Sequence, residues 1–367
     1  MPRTGGSNYS GQAAPPHRNI QLPLMSKIIQ VIPEKNESLK IKWKEVVYSN
    51  IYSFSHLKKT QEQVLGVLQF HEIPVVVLKG TSAAKYYPKP QLRTMGDIDL
   101  LVKPNDYKFA AECLLNAGCI EKTTDAELGF GRHRSFLYND TIIELHVFFS
   151  FLSDKEKSDT LDKLLYDAIC DNQNLPDDEN GLVLLAHIGR HLEYGLGLRQ
   201  IIDWMMFVRA YLDDEKWGSS FQYKAQITGL ESLAIIVTKM CQIYLGLPTE
   251  NITWCKNADE AVCNGLMQYV MECGNFGRSR ELLESGSISK TPSIIHPIQL
   301  FKHIQSHGEK NWKALKRHPW LKPFAWVYQS CRYVKFAFQN NVTPNKLKAI
   351  YDEGNKRNEM FVALGLK

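Results

Sequence analysis

The chain has 367 residues, which is long enough for two packed domains. Hydrophobic residues make up 44% and charged residues 23% of it, values that exclude a fibrous repeat or disorder along most of the chain. The formal net charge of +5 is too small to indicate a nucleic-acid-binding protein, although it would suit a polyphosphate ligand.

The first segments contrast in composition. Residues 1–20 are rich in Gly, Ser, Pro, Asn and Gln, so the sequence predicts a disordered leader there. No charged segment followed by an apolar run opens the chain, so no secretory signal is expected. Over residues 36–70 apolar side chains recur at helical spacing, as at Trp43, Val46 and Val47, which predicts two helices.

A strand–turn–helix unit is predicted next. Residues 75–78 are Val-Val-Val-Leu after Pro74, a run typical of a buried strand. Residues 79–82, Lys-Gly-Thr-Ser, end that strand and start a short helix that extends to Tyr87. A second strand is predicted over residues 97–102, Asp-Ile-Asp-Leu-Leu-Val.

One helix and a hairpin complete this part of the chain. The helix is predicted over residues 106–117, with Asn105 as its N-cap and Gly118 at its end. Strands are predicted over residues 135–138 and 141–149, and the Asn-Asp pair between them favours a tight turn.

After residue 155 the strand pattern disappears. Long helical segments follow, divided by residues such as Pro176, Gly195 and Gly229. The predicted fold class is α+β, with a small mixed-sheet domain followed by an all-helical domain. The predicted boundaries are residues 21–152 for the α/β domain with its N-terminal helices and residues 153–367 for the helical domain.

The eight cysteines form no CxxC pair, and most lie in apolar helical patterns. They are expected to be buried free thiols of a reducing compartment. No apolar run is long enough to span a bilayer. The sequence therefore predicts a cytoplasmic protein without a membrane segment.

Two carboxylates are predicted to share one face of the second strand. Side chains at i and i+2 of a strand point the same way, so Asp97 and Asp99 project together while Ile98 and Leu100 point into the core. Adjacent carboxylates repel each other unless a cation lies between them. Hard oxygen ligands of this kind favour Mg²⁺, together with substrate phosphates.

A two-metal site needs a further carboxylate, and the last predicted strand offers Glu144. The sequence therefore predicts that Asp97, Asp99 and Glu144 are the catalytic residues and hold two Mg²⁺ ions, with Mn²⁺ as the alternative. The competing interpretations are a solvated strand face for the two aspartates and an ion pair of Glu144 with Arg132 or Arg134.

The turn after the first strand is predicted to bind phosphate. Gly80 allows the backbone to approach a ligand closely. Free N–H groups and hydroxyls of Thr81 and Ser82 would form an anion site at a helix N-terminus. Lys79 and Arg93 would add positive charge at the β- and γ-phosphates, although a surface position is the alternative for Lys79.

A glycine turn, Asp-x-Asp on a strand and a carboxylate on a later strand resemble the DNA polymerase β-like nucleotidyltransferase superfamily. More closely, residues 78–80, 93–102 and 143–146 are similar to the bacterial family of uncharacterised nucleotidyltransferases. The resemblance spans residues 40–210. It continues into the helical part at four polar positions: His187, His191, Arg199 and Asp203.

The resemblance implies a polymerase β-like palm domain and a transferase. The enzyme would move a nucleoside monophosphate from an NTP such as ATP to an acceptor hydroxyl and release pyrophosphate. Asp97 and Asp99 would bind both metals, and Glu144 would hold the one that activates the acceptor. The acceptor stays open among small molecules, peptides and RNA. This chain has Gly80-Thr81 where the superfamily usually has Gly-Ser, and a longer segment before Asp97.

Two other classes of function compete with this one. The first is a catalytically inactive nucleotide-binding or interaction module on the same fold, which loss of a carboxylate would indicate. The second is a toxin-like transferase acting on RNA or protein, which a dense basic face would indicate. All three carboxylates are present, which favours the enzyme.

Polar residues outside the core motif have simpler interpretations. His146 shares a strand face with Glu144 and is expected to support the site rather than bind metal. His187 and His191 have i, i+4 spacing, which can bind zinc, but a cleft lining or a packed helix face is preferred. Arg199 and Asp203 have the same spacing and predict an ion pair.

Overall fold

The structure is a computed structural model that describes residues 37–123, 133–149, 154–170, 173–274, 297–339 and 359–366. The predicted leader, residues 1–20, lies outside these ranges. Inside them the chain has the predicted α+β architecture, in which a five-stranded mixed sheet is followed by helices.

The sheet has the strand order β1-β2-β5-β4-β3. Strands β2 and β5 are parallel, and the other neighbours are antiparallel, so the sheet is mixed. The last strand is three residues shorter than predicted. The five strands are β1 Val75–Val77, β2 Asp97–Val102, β3 Ile120–Glu121, β4 His133–Tyr138 and β5 Thr141–His146.

Three α-helices lie in the described part of the sheet domain: α1 Glu37–Phe70, α2 Thr81–Ala84 and α3 Tyr107–Asn116. The prediction of two helices before the sheet is wrong, because no proline interrupts α1 and it runs unbroken. Helix α2 ends before the predicted Tyr87. The N-cap of α3 is Asp106 rather than Asn105, since the Asp106 N–H closes a turn onto Lys103 O. Gly118, with φ +90°, follows the end of α3 as predicted.

The two faces of the sheet pack against different layers. Ile98 and Leu100 are buried with α1 and α3, as their strand positions predicted. Val76 and Leu101 point the other way and join the core of the helical domain. The carboxylates of β2 share this second face, so the helices that follow the sheet must form the opposite wall of any site there.

The described residues after 154 form helices and the loops between them, and Asn174 makes an isolated bridge with Val77. Pro176 and Gly195 lie at the two ends of one helix, as predicted. Among the helices of these ranges, none is both long and apolar enough to cross a bilayer. The helices are α4 Lys155–Ala168, α5 Asp177–Tyr194, α6 Leu198–Ala210, α7 Asp214–Lys216, α8 Gln222–Ile227, α9 Glu231–Tyr244, α10 Glu260–Cys273, α11 Pro297–Asn311 and α12 Ala325–Gln339.

The cysteines are free thiols, as predicted, and most are buried. Cys170 and Cys331 are the exceptions, since both are exposed. Burial raises the pKa of the Cys255 and Cys263 thiols to about 11, so these two stay protonated and unreactive at neutral pH.

Buried polar contacts fix the segment between α2 and β2 on the helical domain. The Arg93 guanidinium donates two hydrogen bonds of 2.7 Å to the Asp203 carboxylate on α6. The Tyr87 hydroxyl donates a third, also 2.7 Å long, to the same carboxylate. The Ser82 hydroxyl donates to Asn180 on α5 at 3.2 Å. Because these groups are buried, each satisfies a partner that would otherwise lack a hydrogen bond.

Replacing Arg93 by Met should lower the free energy of unfolding by about 3–5 kcal/mol, because the substitution leaves a buried Asp203 carboxylate without its cation. Urea unfolding measures the loss. The double variant Arg93→Met/Asp203→Leu should lose less than the two single losses combined, since it buries no unpaired charge. A fully additive double variant would show that the charge pairing is not the cause.

Candidate active site

Three carboxylates meet on the sheet face that the helical domain covers. The parallel register of β2 and β5 places Asp99 directly opposite Glu144. One oxygen each of Asp97, Asp99 and Glu144 lies within 4.8 Å of the other two. Asp99 is buried, Glu144 is partly buried and Asp97 is exposed, so the group is reached from solvent at the Asp97 side. The structure thus brings together the three residues that the sequence singled out.

The buried Asp99 carboxylate has two polar neighbours. Lys79 Nζ lies 2.7 Å and His146 Nε2 lies 3.0 Å from the same oxygen, Asp99 Oδ1. Burial favours the protonated acid, but the Lys79 ammonium and the His146 hydrogen bond outweigh it and hold the pKa of Asp99 well below its ordinary value. Asp99 is therefore a carboxylate at neutral pH.

His146 links two members of the group. The nitrogen that contacts Asp99 also lies 3.3 Å from Glu144 Oε2. Burial opposes ionisation of Glu144, but the His146 hydrogen bond outweighs it and lowers the pKa of Glu144. His146 is completely buried, so one fixed imidazole orients both carboxylates.

Asp97 experiences the opposite balance. The negative charge of Asp99 raises the pKa of Asp97, and the surrounding protein adds to this effect by displacing part of the water around its carboxylate, although the residue is reached by solvent on one side. A cation between the two groups would remove this repulsion. The donor set consists of hard oxygen atoms at close separation, and the residues therefore fit Mg²⁺ or Mn²⁺.

The turn after β1 has the conformation that its glycine allows. Gly80 has φ +59°, a value that other residues rarely adopt, and a Cβ there would lie 3.8 Å from Asp97 O. The turn therefore passes beside the backbone of Asp97, and the preceding residue, Lys79, contacts the Asp99 carboxylate. Its Gly80 and Thr81 N–H groups donate no hydrogen bond within the described ranges. The Thr81 hydroxyl donates to Gln61 Oε1 at 2.7 Å.

Two expectations about this turn need correction. The Ser82 N–H was expected to be free, but it donates to Lys79 O at 3.0 Å, because Ser82 closes the tight turn that starts α2. The Ser82 hydroxyl is likewise engaged, with Asn180. The alternative of a surface position for Lys79 is wrong, since Lys79 is 9% exposed and its ammonium contacts Asp99.

Two arginines stand in places that the sequence did not predict. Asp203 was expected to pair with Arg199, but Arg93 occupies both of its oxygens, so that prediction is wrong. The predicted phosphate ligand Arg93 is thus held in an ion pair. Arg199 forms no hydrogen bond or ion pair with the residues that the structure describes, although its charge offsets a small part of the rise in the pKa of Asp97. Local spacing could not show which arginine takes Asp203.

A histidine pair lies near the same cleft, where both rings are affected by the charges of Lys79 and Arg199. His191 Nδ1 lies 3.3 Å from the Gly195 carbonyl, which can only accept, so this nitrogen carries the proton. His191 Nε2 then accepts the 2.9 Å hydrogen bond from His187 Nε2. In the described ranges no third metal ligand joins this pair.

Glu144 does not form the ion pair with Arg134 that the sequence offered as an alternative. Arg134 donates two hydrogen bonds of 2.8 Å to Glu121 instead. Arg132, the other proposed partner, lies outside the described residues. Glu144 is therefore available to the carboxylate group.

Comparison with known proteins identifies the family. Residues 24–246 match the family model described as "Uncharacterised nucleotidyltransferase", which is more than half of the chain. The match includes the whole sheet and helices α5 and α6, and thus every residue of the candidate site. No curated protein and no solved structure matches the chain.

The histidine pair should make stability depend on pH. Burial lowers the pKa of His191 to about 4, from an ordinary value of 6.5. Because the folded pKa is the lower one, the stabilisation is complete above pH 6.5 and is lost as pH falls toward 4. We expect the free energy of unfolding to decrease in this window by about 1 kcal/mol per pH unit. Urea unfolding from pH 7 to pH 5 measures this slope, which His191→Gln should reduce; an unchanged slope would contradict the assignment.

Proposed function

The chain belongs to this uncharacterised nucleotidyltransferase family, and on that premise we propose that it is a metal-dependent enzyme that moves a nucleoside monophosphate from an NTP to an acceptor hydroxyl. Pyrophosphate would be the second product. The observation that carries the proposal is the convergence of three carboxylate oxygens within 4.8 Å beside a glycine turn. A binding module that had lost turnover would not need all three.

We assign the metal ligands to Asp97, Asp99 and Glu144, which would hold two Mg²⁺ ions or, alternatively, Mn²⁺. Such ions polarise the phosphate and make the acceptor oxygen a better nucleophile. Glu144 is ionised at neutral pH because of its hydrogen bond to His146, which suits a metal ligand better than a group that stores a proton. His146 acts as a positioning residue for both of the carboxylates that it contacts.

The donor triphosphate would lie along the turn after β1. Gly80 and Thr81 have N–H groups without a partner in the described ranges, and they face a helix start where phosphate oxygens can accept hydrogen bonds. Lys79 has three N–H bonds, of which Asp99 needs one, so the others can reach a phosphate oxygen. Lys79 would thus contact both the Asp99 carboxylate and the donor triphosphate.

We assign the arginine on the triphosphate to Arg199 rather than Arg93. Arg199 is in the first turn of α6, where the helix dipole disfavours a cation, and burial and the charge of Arg93 lower its pKa. A bound phosphate would relieve all three unfavourable effects. Since α6 belongs to the helical domain, that domain contributes to donor binding and not only to acceptor selection.

The acceptor stays open among small molecules, peptides and RNA. Within the described residues the neutral histidine pair leaves one ring nitrogen unused, His187 Nδ1, which can accept a hydrogen bond from an uncharged group such as a hydroxyl. This favours an acceptor that is neutral at the reacting end. A toxin-like transferase acting on RNA or protein fits the same site, and identification of the labelled product would distinguish the two.

Nucleotide binding should depend on Asp97 and Arg199. Mg²⁺ with the correct NTP should raise the melting temperature of the full chain, because a ligand that binds only the folded state stabilises it. Asp97→Asn should remove most of this shift, and Arg199→Gln should weaken binding by about 10-fold or more. Arg209→Gln, an exposed position on the same helix, is the matched control and should bind normally. Equal shifts in wild type and Asp97→Asn would place the nucleotide elsewhere.

Catalysis should depend on Glu144 more than donor binding does. Glu144→Gln keeps the shape but removes the charge, so we expect Mg·NTP binding within a few-fold of wild type. The rate of transfer should fall by on the order of 10²-fold, as for loss of a metal-activated nucleophile. Incubation with each labelled NTP, with and without cell extract, supplies the assay and the acceptor class. Full transfer by Glu144→Gln would remove this residue from the mechanism.

A further inference from the structure

A second set of metal-binding side chains lies beside the carboxylate group and shares one member with it. In the antiparallel register of β4 and β5, His133 is directly opposite His146. One donor atom each of His133, Glu144 and His146 lies within 4.8 Å of the other two. Across this sheet face, from β2 to β4, the donors therefore change from carboxylate oxygen to imidazole nitrogen.

The separations suit an ion of the size of Zn²⁺. His146 Nε2 and Glu144 Oε2 are 3.3 Å apart. Two ligands of a tetrahedral ion with bonds of roughly 2.0–2.1 Å are separated by about 3.3 Å. The two imidazole rings have their centroids 5.1 Å apart at an angle of 40°, so His133 adjoins the same space from the neighbouring strand.

We propose that His133, Glu144 and His146 bind a divalent transition-metal ion of the Zn²⁺ class. Two nitrogen donors and one oxygen donor favour such an ion over Mg²⁺, which prefers oxygen alone. Three protein ligands leave a position for water or another ligand. This site is defined by its own side chains and does not depend on nucleotide transfer.

The shared ligand makes this site a competitor of the carboxylate site. Glu144 cannot be a full ligand of the His133–Glu144–His146 site and of the all-oxygen site with Asp97 and Asp99 at the same time. Metal at His146 Nε2 also removes the 3.0 Å contact with Asp99 Oδ1. A Zn²⁺-class ion would therefore take Glu144 away from the carboxylate site and free Asp99 from its contact with His146. It should inhibit any reaction that Mg²⁺ supports at the carboxylate site.

The surroundings predict reversible binding. A histidine in a tight metal site usually donates its second N–H to a carboxylate or carbonyl. His146 Nδ1 is buried and has no hydrogen-bond partner in the part of the chain that the structure describes. His146 lacks this support, so we expect an exchangeable ion rather than a permanent structural one.

The test is calorimetric titration of ZnCl₂ into the full chain without Mg²⁺ or nucleotide. The exposed thiols of Cys170 and Cys331 are first alkylated, since thiolates also bind zinc. We expect one ion per chain in wild type and in His318→Gln, a control at an exposed histidine. In His133→Gln the affinity should fall by at least about 10-fold.

Two further measurements keep the result interpretable. The wild-type protein loaded with Co²⁺ in place of Zn²⁺ should show the visible absorption of a tetrahedral site. This measurement needs no variant. An unchanged Mg·NTP shift would show that His133→Gln is folded. Equal zinc affinity in wild type and His133→Gln would overturn the proposal, as would a wild type that binds no zinc. Zinc binding lost in Asp97→Asn but retained in His133→Gln would overturn it too, by placing the ion among the three carboxylates.

Discussion

The buried ion pair between Arg93 and Asp203 sets the distance between the two halves of the candidate site. Asp97 follows Arg93 by four residues, and Arg199 precedes Asp203 by four. The pair therefore holds the start of β2, with its first carboxylate, against the start of α6, with the Arg199 guanidinium. Bidentate geometry suits this task, because a planar guanidinium fixes orientation as well as distance. Carboxylates on a sheet and a cation on a helix can act on one ligand only if that placement is constant.

The site itself balances opposing charges. Asp99 can be buried as an anion because Lys79 and His146 contact one of its oxygens, whereas the neighbouring Asp97 is left with the repulsion. In a site that needs no ligand, we would expect side chains of the protein to compensate the negative charges of both aspartates. Arg199, which has no ion-pair partner among the described residues, is the corresponding excess on the other side of the cleft. Excess negative charge on the sheet and excess positive charge on the helix are what a metal–polyphosphate complex, with charges of both signs, can compensate.

The features of the fold and of the site that could be predicted from the sequence are those that local periodicity determines. The alternation of β2 placed Asp97 and Asp99 on one face, and the Asn139-Asp140 pair does form the hairpin turn, with φ of +47° and +56°. The missed features depend on contacts between distant residues. Arg93 and Asp203 are 110 positions apart, so a spacing of four suggested Arg199 as the nearer partner. The engagement of Ser82 likewise required Asn180, which is 98 positions away on α5. Neither pairing has a signature in the residues around it.

The same separation has a consequence for how the chain acquires its structure during translation. With 110 residues between them, and synthesis at 5–20 residues per second, Arg93 is made roughly 5–20 s before Asp203. The five described strands and all three carboxylates are complete at His146, while the anchor on α6 does not yet exist. For this interval the nascent chain contains the three carboxylates of the candidate site without the wall that covers them. The sheet domain must therefore remain stable or be protected until α6 has left the ribosome, and premature termination after β5 would release a fragment with exposed carboxylates and no cleft.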